Sequence, residues 1–212
     1  VGSHAGVSIG EDGPSQMGLE DIAEFRAIHG STVLYPCDAN QTVSLVSQMA
    51  DRKGIVYLRT TREATPVIYD TEQSFEIGGS HIVRSSKSDD LTIVGAGITL
   101  HEAIIAADEL AEEGINARVI DLYSIKPLDV ATLRAAASDT GKIITVEDHW
   151  MDGGIGDAVL QSFAEFDQNP IVIRLAVTEM PMSGSPTELL DAAGINAKHI
   201  AKAARDLVSS SN

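Results

Sequence analysis

Cysteine is almost absent from this chain of 212 residues: Cys37 stands alone, so no disulfide framework and no cysteine-built zinc site can form within it. A reducing, cytoplasmic setting fits that scarcity. Positive charge is also short, with 15 Lys+Arg against 31 Asp+Glu and a net charge of −16. That balance argues against nucleic acid and anionic membranes as partners, and reads most simply as a solvated acidic surface. No apolar run reaches membrane-spanning length. No secretory leader and no internal repeat is visible, and low complexity is confined to the serine-rich tail. Aromatics are sparse at 4%, but total hydrophobic content is 43%, enough for one large or two small cored domains.

What is present is an alternation of apolar runs, glycine or polar turns, and amphipathic stretches. Val7–Ile9 reads as a short strand entering the loop Gly10-Glu11-Asp12-Gly13-Pro14-Ser15. The chain therefore looks as if it begins inside an element. Residues 18–28 carry Leu19, Ile22, Ala23 and Phe25 at helical spacing, with Ser15 as a candidate cap. Thr32–Tyr35 is a strand pattern stopped by Pro36, Asp38 caps a helix over roughly 41–52, and residues 54–59 form a third strand. Residues 70–90 break the rhythm with a Ser/Gly/Asp-rich stretch, which places a domain boundary near residue 85.

The alternation then restarts. Strands are expected at 91–94, 117–122, 142–147 and 170–175. Helices are expected at 99–113 with Gly114 beyond its end, from Pro127-Leu128-Asp129 onward, and at 156–165, 187–193 and 197–208. Continuous apolar strands between helices predict an α/β fold: two domains (1–85 and 86–212) of mostly parallel sheet flanked by helices, the first incomplete.

Candidate chemistry concentrates near the N-terminus. Two glycines around Asp12 allow a tight turn at a strand's C-terminal end, the edge where open α/β sheets bind ligands. Asp12 there could accept hydrogen bonds from substrate hydroxyls; an acidic surface turn is the alternative. Arg62 follows the third strand and should reach the same edge, where its fork suits phosphate; pairing with one of the many carboxylates is the alternative. Arg59, closer to the strand, reads as structural. His4 could donate to a substrate oxygen, although Gly2-Ser3-His4 taken alone also resembles the scar of a purification tag. Elsewhere the signals are weaker. Gly95-Ala96-Gly97 lacks the third glycine of a dinucleotide turn. Gly153-Gly154-Ile155-Gly156 could cradle an anion but suits plain close packing, and His149-Trp150 reads as a packing or interface pair. Cys37 has no activating base in view, and no metal-ligand spacing is present.

The run SHAGVSIGEDGPSQMGLEDIAEFRAIHGSTVLYPCDA, continuing through GIVYLRTTRE, strongly resembles transketolase. TIVGAGITLHEAIIAADEL, ARVIDLYSIKPLD and IITVEDHWMDGGIGDAV resemble that family's C-terminal domain, so the resemblance covers essentially the whole chain. GEDGPSQ is the specific part. The later segments are shared in style with 1-deoxyxylulose-5-phosphate synthase and the β subunits of 2-oxoacid dehydrogenases. The resemblance implies the second half of a pyrimidine-binding domain followed by the C-terminal domain, and argues against the tag reading. It implies that His4 and Asp12 hold the hydroxyls of a sugar phosphate and that Arg62 holds its phosphate. Gln16 falls where many members carry a histidine near the cofactor's aminopyrimidine; glutamine hydrogen-bonds but relays no proton.

Further expectations follow from the resemblance. The whole enzyme would use thiamine diphosphate with Mg2+ or Ca2+ and act as a cytoplasmic homodimer of the pentose phosphate pathway. Most cofactor ligands would lie in a missing N-terminal part, leaving this piece inactive alone. A non-catalytic dimerisation or binding module is the competing reading, and a nucleotide- or flavin-binding protein rests only on the glycine turns.

Overall fold

The computed structural model describes residues 1–210; residues 211 and 212 of the serine-rich tail lie outside them. Two sheets organise the chain. In the first, β1 (Thr32–Leu34) and β2 (Val56–Leu58) run parallel, with Val33 opposite Tyr57. They are joined by α2 (Ala39–Ala50), whose first turn is capped by Asp38 accepting from the Gln41 N–H, as the sequence predicts. The preceding helix, α1 (Asp21–Ala27), lays Phe25 flat on Tyr57 with ring centroids 4.0 Å apart.

The second sheet comprises β3 (His81–Arg84), β4 (Leu91–Gly95), β5 (Ala117–Asp121), β7 (Lys142–Trp150) and β8 (Ile171–Val177), in the order β3-β5-β4-β7-β8. All its pairings are parallel except that of the edge strand β3. Its helices are α3 (Ile98–Glu112), α4 (Val130–Thr140), α5 (Ile155–Ser162), α6 (Pro186–Ala192) and α7 (Ala197–Ser209). Alternate β4 side chains serve opposite faces: Leu91 and Ile93 pack with α3 and α7, and Val94 with α4 and α5. Cover on both sides explains why this strand is buried throughout. Gly114 ends α3 with φ 81, as Gly114 N–H donates to Ala111 O and Ile115 N–H to Leu110 O. No helix among the described residues is long and apolar enough to cross a membrane.

One strand leaves its neighbours. β6 (Ser124–Lys126) follows β5 directly but joins the first sheet, antiparallel to β1, giving the order β2-β1-β6. Both sheets are thus mostly parallel and mixed, and the first is only three strands wide.

Three expected details differ. Val7–Asp12 is a 3-10 helix rather than a strand, because its N–H groups at 7 and 8 are taken by a side chain from β7 instead of a ladder. Ser15 lies in a second 3-10 turn, Pro14–Gln16, and α1 starts only after Glu20, so Ser15 caps nothing. Pro127 precedes α4 through a cis peptide bond, and Asp129 caps the helix.

Buried polar groups tie the halves together. Arg59 is wholly buried; its Nε donates to Asp21 at 2.8 Å, its Nη2 to the backbone oxygen of Asp148 in β7 at 2.8 Å, and its guanidinium lies 4.8 Å from the centre of the Tyr35 ring. A second knot forms around Asp121, at the end of β5. One carboxylate oxygen accepts from Gln41 Nε2 at 2.7 Å and the Tyr69 hydroxyl at 2.8 Å, both from the first part of the chain. Burial pushes the Asp121 carboxyl up to about 7, against those stabilising donors.

Arg59→Met should cost about 3–5 kcal/mol in urea unfolding, because it strands Asp21 without its partner; a change below about 1 kcal/mol would mean the pair is not a stabilising element. The Asp121 proton gives a pH dependence of known sign. The folded state keeps a proton that the unfolded chain sheds near 3.8, so stability should fall as pH rises from there to about 7 and level off above. Glu147, also raised to about 7 by burial, adds a slope of the same sign. Asp121→Asn should therefore flatten the profile without abolishing it, measured by chemical unfolding across that window.

Candidate functional site

The predicted site residues lie on and beside one glycine-rich loop at the C-terminal edge of the first sheet. Residues 2–5 run alongside the end of β2: Gly2 N–H donates to Leu58 O, Thr60 N–H to Gly2 O, and Ala5 N–H to Thr60 O at 3.2 Å. That pairing sets His4 next to Thr60, two residues before Arg62. His4 is exposed with φ 64 and its Nδ1 lies 3.1 Å from Ser3 Oγ; no described hydrogen bond joins it to Asp12 or Arg62.

Asp12 and Arg62 do meet. Arg62 Nη1 lies 3.3 Å from Asp12 Oδ2 and 3.7 Å from Glu11 Oε2, and it donates to Ile9 O at 3.1 Å. Arg62 therefore carries carboxylates of its own. With side chains 41% and 42% exposed, the Arg62–Asp12 pair is a surface ion pair, worth about 0–1 kcal/mol. An incoming phosphate can displace such a contact at little cost. Gln16, on the same loop, exposes its side-chain amide and bonds it to no described residue. Beside the loop, the ends of β1 and β2 open on a cleft of about 370 Å³ lined by Asp38, Thr60, Thr61, Glu63 and Thr65 among others. Among the described residues no cluster of His, Cys, Asp and Glu could hold a metal ion.

The loop's shape is imposed from the second sheet, a dependence the sequence reading missed. Asp148 Oδ1 accepts the Val7 N–H at 2.6 Å, and its Oδ2 accepts the Ser8 hydroxyl at 3.0 Å. Burial raises the Asp148 carboxyl, while Arg59 and these donors oppose the rise. Gly6 must be glycine: it has φ 93, and a Cβ there would lie 2.0 Å from the Asp148 carboxylate. Gly13 has φ 81 and faces Ser183 Oγ, which a Cβ would approach to 2.7 Å. The glycines signal a tight approach in the sequence, but nothing there names the approaching group.

The weaker candidates resolve as packing. A Cβ on Gly97 would run into the ring of Tyr35, so the Gly95-Ala96-Gly97 turn is filled by a side chain of the other sheet. The start of α5 already holds an anion of the chain's own: the Glu147 carboxylate accepts from the Ile155 and Gly156 N–H groups. His149 is buried and accepts the Ala23 N–H at 3.3 Å, so it packs at the junction of the two parts. Cys37 is buried, and burial together with Asp121 and Asp38 pushes its thiol up, which suits a structural cysteine.

Comparison with known proteins agrees across the chain. Residues 1–67 match the family described as transketolase, pyrimidine binding domain, and residues 80–200 match transketolase, C-terminal domain. Mouse transketolase-like protein 2 is 54% identical over 209 residues, covering 98% of this chain and 33% of that protein. Human transketolase is 49% identical over 208 residues, with the same coverage of each. The chain thus spans about a third of the length of these curated relatives. Among solved structures, a split-gene transketolase described as an inactive beta4 tetramer matches with TM-score 0.88 and 33% identity, covering 98% of this chain and 65% of that one. A transketolase mutant from Pichia stipitis matches with TM-score 0.77 at 21% identity, covering 98% of this chain and 29% of that one, and shows the fold alone.

Asp148→Ala should free the buried N–H groups of Val7 and Ser8, costing about 1–3 kcal/mol. Hydrogen exchange at those two amides should accelerate first. Unchanged protection there would show that the loop keeps its shape without the carboxylate.

Proposed function

Because the chain belongs to the transketolase family, we propose that it is the sugar-recognition part of a transketolase, which passes a two-carbon ketol unit from a ketose phosphate to an aldose phosphate. The carrying observation is the Arg62–Asp12 pair: a phosphate fork and a hydroxyl acceptor sit side by side on a loop bent by two glycines. In this reading Arg62 exchanges its carboxylates for the sugar's phosphate. Asp12, released, accepts from the sugar hydroxyls, and His4 holds them from the neighbouring edge by donating to a substrate oxygen. The protein's work here is positioning and electrostatics.

Thiamine diphosphate, when bound to the whole enzyme with Mg2+ or Ca2+, supplies the electron sink for the transferred unit. Gln16 is the residue of this chain that would touch it, by a hydrogen bond to the aminopyrimidine and without proton relay. The diphosphate and metal are assigned to the missing N-terminal part of the same enzyme. The chain alone is accordingly inactive, which the inactive split-gene relative of similar fold supports. The whole enzyme works as a cytoplasmic homodimer in the pentose phosphate pathway.

Mixing the chain with its N-terminal complement should restore ketol transfer, whereas transfer by the chain alone would overturn the division of labour. In the restored enzyme, Arg62→Ala should raise KM for a phosphorylated donor by about 10–100-fold, the worth of one charge-assisted hydrogen bond. The same change should leave an unphosphorylated ketose little affected. Equal losses on both donors would remove the phosphate role.

A further inference from the structure

A second concentration of positive charge lies away from the loop, in a crevice between α1, β6, α4 and α5. Lys126 Nζ donates to the backbone oxygens of Arg26 at 2.8 Å and Ile28 at 2.6 Å. Arg26 Nη1 donates to the backbone oxygens of Gly153 and Gly154, the latter at 3.0 Å, and its Nη2 lies 3.3 Å from Gln161 Oε1. The ammonium of one residue thus touches the main chain of the other, and both line one cavity of about 410 Å³. That volume falls within the range of small-molecule sites, about 300–1,000 Å³.

Like Arg52 and Arg134, the pair holds no carboxylate among the described residues; unlike them, its two members line one cavity together. Acidic residues outnumber basic ones two to one, at 31 to 15, and Arg59, Arg62, Arg84, Arg118, Arg174 and Arg205 each hold a carboxylate. Arg26 and Lys126 hold only neutral oxygens among the described residues. The acids that act on Arg26 are committed elsewhere. Glu147 accepts from the start of α5, and Asp157 accepts the Gly153 N–H and pairs with Arg174 at 3.1 Å. Burial lowers the Arg26 pKa, with Asp157 and Glu147 acting in the opposite direction. Both side chains are half-buried, and an anion in the crevice would meet two cations that hold no carboxylate of their own. Donors remain for it: the third N–H of Lys126 and the Nε–H of Arg26. Ile125 and Ala158 supply apolar walls that strengthen any such contact.

We propose that this crevice, framed by Arg26 and Lys126, binds a small phosphate-bearing anion at a site separate from Arg62. The probe is inorganic phosphate, titrated into the isotope-labelled chain at constant ionic strength against chloride and followed by amide NMR. The amides of Gln161, Ser162 and Ile28 should shift along saturable curves, with the same midpoint in wild type and in Arg62→Ala. Lys126→Gln should weaken that midpoint about tenfold or more. Because Lys126 also ties down the end of α1, Arg26→Gln serves as a second variant whose fold is checked by its spectrum and should show the same weakening. Shifts that stay linear with phosphate, or persist in both variants, would overturn the site. Shifts that vanish in Arg62→Ala would assign phosphate to the loop instead.

Discussion

A guanidinium shut away from water holds this structure in register. Arg59 leaves β2, is braced by Asp21 at the start of α1, and reaches the backbone of β7 through Asp148. A charge buried to that extent is tolerated only while every partner stays in place. α1, the first sheet and the longest strand of the second sheet are therefore constrained together. The same residue that offers its backbone oxygen to Arg59 offers its carboxylate to Val7 and Ser8. The site loop is thus positioned from the far half of the chain.

Arg59 and Arg62 stand three residues apart and do opposite things. One is wholly buried, with a carboxylate that is 12% exposed; the other is 41% exposed, and its carboxylates are at least as open as it is. Burial makes the first pair costly to break, and solvent makes the second easy to exchange. In the proposed role Arg62 has to be of the second kind, because its resting partner would leave when the ligand arrives. The structure keeps both kinds side by side, with the fixed one anchoring the strand from which the exchangeable one extends.

Much of this was legible in the sequence. Runs such as Leu91–Val94 and Ile143–Val146 declared a sheet covered on both faces, and Asp38 and Gly114 marked helix ends that the structure keeps. The neighbourhood of Asp12 and Arg62 was expected from strand direction, and the structure keeps it although Val7–Asp12 is a 3-10 helix and not a strand. What stayed hidden depends on distant partners. Val7–Ile9 has the composition of a strand, but its donors are drawn off by Asp148, a residue 141 positions away from Val7. Periodicity carries no record of such a contact. Ser15 looked like a cap because caps are recognised by local pattern, whereas the 3-10 turn at Pro14–Gln16 delays the helix beyond its reach.

The excursion of β6 into the first sheet bears on how the molecule is assembled. β1 can pair with β2 as soon as both have emerged from the ribosome, since the two are near neighbours along the chain. Its other edge stays open until Ser124–Lys126 arrives, after β4, α3 and β5 have been made. Until then a row of unpaired N–H and C=O groups on β1 invites the wrong strand. The first sheet as it stands therefore cannot be finished by the part of the chain that begins it, because its third strand comes from the far half.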